Sequence, residues 1–241
     1  MGDDVPMTAD VPLDDLAEAT ARLVRSVDAL DAAALAEPSA LPGWSLAHVV
    51  AHLTLNAEAL DGVLRGVVEG VDVPMYRSQE QRDADIEELA QADGGELRER
   101  FLASCAVFQE AVVAVPEGGW AGEFRRLAGG GQIVNRIAIP GMRLREVEIH
   151  HGDLGTGYGP ADWPEGFLDK VFNRVVRDRS EGDSAGGALM LRTPDGDVPV
   201  GGGAGPLVSG SRTDLTWWLL GRGSGEGLTA DPALPELGPW R

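Results

Sequence analysis

Leu13, Leu16, Leu23, Val27 and Leu30 recur at roughly helical spacing, which predicts an amphipathic helix over residues 13–30. A longer stripe of Leu46, Val49, Val50, Leu53, Ala57, Leu60 and Leu64 predicts a second helix. It follows the turn-forming Leu41-Pro42-Gly43-Trp44, with Ser45 placed to cap it and Gly70 near its end. Helical character resumes near Ser78 and continues to Gln91; after Asp93-Gly94-Gly95 a long run extends from Glu96 to about Val115. These two stretches read as one broken third helix. Trp120 to Ile133 is glycine-rich and suits a hairpin or loop turning at Gly129–Gly131. A fourth helix spans roughly Arg136 to Gly152, and Pro140 fits it only near its first turn.

Beyond Gly155 the pattern changes. A Gly/Pro/Asp-rich connector runs to Pro164, and a helix follows from about Gly166 to Arg179. Ala188–Arg192 and Val198–Val200, separated by Pro194-Asp195-Gly196, read as paired strands, with Leu207–Gly210 as a third. Ser211 caps a helix holding Leu215, Trp217, Trp218, Leu219 and Leu220, which ends at Gly221-Arg222-Gly223. The expected fold class is α+β: a four-helix bundle over residues 1–155 and a small mixed α/β domain over residues 156–241.

A chain of 241 residues with 43% hydrophobic content can bury two cores. Its 39 acidic and 20 basic residues give a formal charge of −19, which repels phosphate backbones and anionic lipid, so neither nucleic acid nor membrane is an expected partner. Cys105 is the one cysteine, which excludes an internal disulfide, and its apolar neighbours favour an inert buried thiol over a nucleophile. The N-terminus lacks the basic and apolar regions suited to secretion, so the expected location is the cytoplasm. A monomer is the expected oligomeric state.

The four histidines fall in two windows, His48/His52 and His150/His151. Glu146 precedes His150 by four residues, one helical turn, so both point the same way and His52 could meet them from another helix. Two imidazoles and one carboxylate suit zinc or a similar divalent ion, and three protein ligands leave a position open. Spacing alone supports this weakly, because Glu and His four apart recur on solvated helix faces. His48 sits in the first turn of its helix and reads as exposed or as a support to the ligands. His151 lies about 100° around the helix from His150 and cannot comfortably share a metal with it. Arg143, Arg145 and Arg222 can fork onto carboxylates, although ordinary salt bridging also explains them. Trp217 and Trp218 read as core.

Several segments together resemble the mycothiol-dependent maleylpyruvate isomerases, over nearly the whole chain. They are Gly43-Trp44-Ser45 through His48, His52 and Asn56-Ala57; Pro74-Met75-Tyr76; Met142 through His150 with Asp153-Leu154-Gly155; and Gly221-Arg222-Gly223-Ser224. The resemblance implies that the bundle is of the DinB-like metal-binding type. It implies His52, Glu146 and His150 as zinc ligands, mycothiol as cofactor, and Arg222 as a catalytic arginine contributed by the second domain. Gly129–Gly131 and Pro140 depart from the regular helix entry expected of the family.

The implied reaction is cis-to-trans isomerisation of maleylpyruvate to fumarylpyruvate in gentisate breakdown. A carbon–carbon double bond does not rotate freely, so the accessible route is reversible thiolate addition, rotation about the resulting single bond, and expulsion. The metal would either hold the thiol as thiolate or polarise the substrate's keto oxygen, and the residues leave both open. The substrate is a small dicarboxylate, and Arg222 is its candidate clamp. Two other readings stay open: another mycothiol-dependent S-transferase or hydrolase on the same scaffold, and a non-catalytic module whose metal is closed off by a fourth ligand such as Glu148 or Asp153.

Overall fold

The computed structural model describes residues 12–181, 187–238 and 240. The expectation drawn from the first eleven residues lies outside them. The chain divides into two compact units, Met1–Thr156 and Gly157–Arg241.

Among the described residues the first unit contains six α-helices: α1 (Leu13–Asp28), α2 (Ala32–Leu35), α3 (Leu46–Glu69), α4 (Gln79–Ala90), α5 (Gly94–Ala114) and α6 (Ile139–Asp153). Helix α1 buries Leu16, Ala19, Leu23 and Val27, one stripe at three- and four-residue spacing. Withdrawing a side chain such as Leu23 from water contributes about 1.5–3 kcal/mol, which propensity alone does not supply. Contacts run from α1 to α6, α6 to α3, α3 to α5 and α5 back to α1, which closes a four-helix bundle. Helix α3 is the most enclosed, with Val49, Val50, Ala51, Leu53, Ala57 and Leu60 fully buried. It begins at Ser45, whose hydroxyl and backbone both meet the His48 ring, and stops at Gly70 in the left-handed conformation at φ 73°.

The single broken third helix resolves into two independent ones. Ser78 accepts from the Gln81 N–H at 3.1 Å to start α4, and Asp93 accepts from the Gly95 and Glu96 N–H groups to start α5. Each helix therefore has its own cap, and α5 belongs to the four-helix ring while α4 lies against α3. Between α5 and α6, β1 (Glu123–Leu127) pairs antiparallel with β2 (Gly130–Asn135), the hairpin turning at the predicted glycines. Residues Met75 and Tyr76 hydrogen-bond along the free edge of β1. A short 3-10 turn, Arg136–Ala138, leads into α6, and Pro140 occupies its first turn, where no intrahelical donor is lost.

The second unit contains α7 (Glu165–Glu181), β3 (Leu189–Thr193), β4 (Gly196–Val200), β5 (Leu207–Ser209), α8 (Arg212–Leu219) and β6 (Thr229–Asp231). The sheet order is β4-β3-β5-β6, with β3 and β5 parallel and the other pairs antiparallel. Leu189, Leu191 and Val208 on the sheet and Val171, Phe172, Val175, Leu215 and Leu219 on the helices form its buried core. The fold is thus a four-helix bundle with a small mixed α/β unit after it in the chain, the α+β class expected from the sequence. No described helix is long and apolar enough to cross a membrane.

Candidate metal centre

His52 projects from α3, and Glu146 and His150 project from successive turns of α6. One ligand atom from each lies within 4.8 Å of the other two. The His52 Nε2 is 2.9 Å and the His150 Nε2 3.3 Å from the same Glu146 oxygen, Oε2. Donors bonded at 2.0–2.2 Å around a tetrahedral ion stand about 3.3–3.6 Å apart, so small side-chain adjustments suffice to admit zinc. The donor set of two imidazoles and a carboxylate also fits it.

The two rings meet edge to face with centroids 4.7 Å apart, and Trp44 lies edge-on to His52 at 5.8 Å. The His52 side chain is 5% exposed and that of Glu146 is 30%, so the carboxylate side is the more open one. Burial lowers the His52 pKa to about 4, against the opposing pull of Glu146. Burial would also lower that of His150, but hydrogen bonds to Asp153 and Glu146 outweigh it and the pKa is raised. Burial opposes ionisation of Glu146, yet the hydrogen bonds to His150 and His52 bring its pKa well below the ordinary carboxylate value. Near neutral pH His52 is therefore neutral and Glu146 ionised, and His150 keeps its proton to higher pH than an ordinary imidazole.

The neighbouring candidates have other partners. His48 bonds Ser45 through Nδ1 and stands 3.2 Å from Glu87 through Nε2, capping its helix. His151, buried, meets the Ser26 hydroxyl at 2.7 Å. Glu148 accepts from Arg22 at 2.8 Å, and Asp153 lies 2.8 Å from the His150 Nδ1, so among the described residues neither joins the ligand group. Asp153 acts instead on the far side of the His150 ring, orienting it. Arg143 is buried and donates to the Leu53 carbonyl and the Asn56 side chain, tying α6 to α3 rather than forming a salt bridge. Arg145 is half-buried on α6. Arg222 is buried and donates to the Leu220 carbonyl at 2.7 Å. Trp218 is core and Trp217 meets Trp163 at 5.9 Å.

Two residues near the triad had no claim from the linear sequence. Arg82, from α4, places Nη2 3.1 Å from the His52 Nδ1. Tyr76, known only as part of a motif, lies under that guanidinium. Nothing in spacing links them to His52; only the docking of α4 on α3 does.

The model of the mycothiol maleylpyruvate isomerase N-terminal domain matches residues 16–155, more than half of the chain. The chain belongs to this family. Two crystal structures are similar to it over 98% of each chain at a TM-score of 0.86. One is of the mycothiol-dependent maleylpyruvate isomerase, at 29% identity, and the other is of its H52A mutant, at 28%. The likeness to these isomerase structures covers the second unit as well as the bundle. No curated protein's sequence matches the chain.

Proposed function

We propose that the protein is a mycothiol-dependent maleylpyruvate isomerase. It would hold a divalent ion, zinc by donor type, on His52, Glu146 and His150, and form fumarylpyruvate. The observation that carries this reading is the convergence of those three ligand atoms within 4.8 Å in a chain of this family.

Bound there, the ion and mycothiol would supply the nucleophilic sulfur and the charge sink that isomerisation by reversible addition requires. Glu146 provides the negative charge of the ligand set, and His52 is already neutral. His150 would ligate through Nε2 as a neutral ring, its Nδ1–H donating to Asp153, which holds the ring plane. Three protein ligands leave room for a thiol or a keto oxygen. Cys105 is buried and its pKa is pushed up by that burial, which supports a sulfur that comes from outside the chain. Arg222 would take a substrate carboxylate, the role the family resemblance implies and one that a guanidinium can fill bidentately.

The test is turnover of maleylpyruvate by zinc-loaded protein, with and without mycothiol. Fumarylpyruvate should appear only when mycothiol is present. No turnover with both supplied would overturn the reading.

A further inference from the structure

The triad explains His52, Glu146 and His150 but leaves the cation beside them unexplained. Arg82 has a side chain only 16% exposed, and its formal ion pair is with Asp83 at 2.8 Å, whose own side chain is 58% exposed. That pairing is screened by water and contributes little. The Arg82 Nε is buried and has no hydrogen-bond partner among the described residues. Its guanidinium carbon sits 5.6 Å from the centre of the Tyr76 ring, which holds the group in place. A mostly buried guanidinium with an orphaned Nε is costly to keep unless something else occupies it.

The contact with His52 is also provisional. Arginine can only donate, so the bond to Nδ1 requires that nitrogen to accept, leaving the proton on Nε2 toward Glu146. An imidazole that ligates through Nε2 carries its proton on Nδ1 instead, where the Arg82 donor can no longer bond. Zinc held by His52 through Nε2 would therefore leave Nη2 without that partner. A planar guanidinium beside the triad matches one chemistry above others, that of a carboxylate taken bidentately.

We infer that Arg82 is a carboxylate receptor at the rim of the triad and takes one of the two carboxylates of the substrate, Tyr76 holding its plane. Its assignment to the substrate rests on the isomerase reading; the anion class rests on the side chain itself.

The test titrates zinc-loaded wild type and Arg82→Met, without thiol, with fumarate and with monomethyl fumarate. Wild type should bind the diacid about tenfold more tightly than the half-ester, the magnitude of one charge-assisted hydrogen-bonding pair. Arg82→Met should bind the two alike, to within about twofold, while keeping its zinc and its melting temperature. Arg82→Lys keeps the charge without the fork and should fall between; it carries the test if the Met variant does not fold. Retention of the full preference in either variant, loss of zinc with Arg82→Met, or no difference between the probes in wild type would overturn the inference. No turnover is read, so failure here leaves the maleylpyruvate assay standing, and failure of that assay leaves the diacid preference standing.

Discussion

The Nδ1 of His150 lies 2.8 Å from Oδ2 of Asp153, three residues on, and Asp153 is 0% exposed. A fully buried carboxylate on the back of an imidazole fixes which nitrogen faces forward and makes that nitrogen the better donor. Asp153→Asn keeps the shape and removes the charge. It should weaken zinc binding about 10–100-fold while leaving the helical content unchanged, as read by chelator competition and circular dichroism.

Metal binding should depend on pH through one proton. His52, with its pKa lowered to about 4, is neutral across the working range and releases nothing. His150 is the group with a raised pKa, so below that value it must lose a proton to ligate. Zinc affinity should therefore fall by about tenfold per unit as pH drops below the His150 pKa, and level off above it. Affinity measured from pH 5.5 to 9 checks the slope. The same group stabilises the metal-free fold below its unfolded pKa, and that contribution fades as pH rises through the raised folded value.

Much of the bundle was legible because its helices carry long apolar stripes bounded by residues with one physical use. Ser45 and Gly70 bracket α3, and Pro140 marks the first turn of α6. The split of the third helix was not legible, because Asp93-Gly94-Gly95 reads equally as an interruption or as a new cap, and only the hydrogen bonds of Asp93 decide. Helix α2 and strand β6 are too short to set up a period. Within the site, Glu146 and His150 share a helix face by spacing, and a helical step also reaches Asp153. Arg82 has no such rule, since its neighbours on α4 are ordinary solvated acids and amides.

Cys105 gives a direct check on where the sulfur comes from. It is buried at 5% exposure, 4.0 Å from an Arg143 nitrogen, and its thiol is held protonated by burial. Cys105→Ala should keep mycothiol-dependent turnover within about threefold of wild type, with a stability cost of about 1 kcal/mol for the lost packing. Steady-state rates and thermal unfolding measure the two effects separately.

Arg222→Ala should lower turnover by about 100-fold or more, the scale expected for loss of a charge-assisted carboxylate contact, while zinc content stays at the wild-type level. Its side chain also donates to the Leu220 carbonyl, so a melting curve accompanies the assay. A joint loss of zinc, folding and activity would mean that Arg222 supports the fold instead.

The central claim is that α3 and α6 bring His52, Glu146 and His150 around one divalent ion. Elemental analysis of wild type and His52→Ala, each loaded with excess zinc and desalted, tests it most directly. Wild type should retain about one ion per chain and the variant nearly none, since losing one of three protein ligands removes most of the binding energy. A wild type that retains no ion, or a His52→Ala variant that retains as much as wild type, would contradict the account.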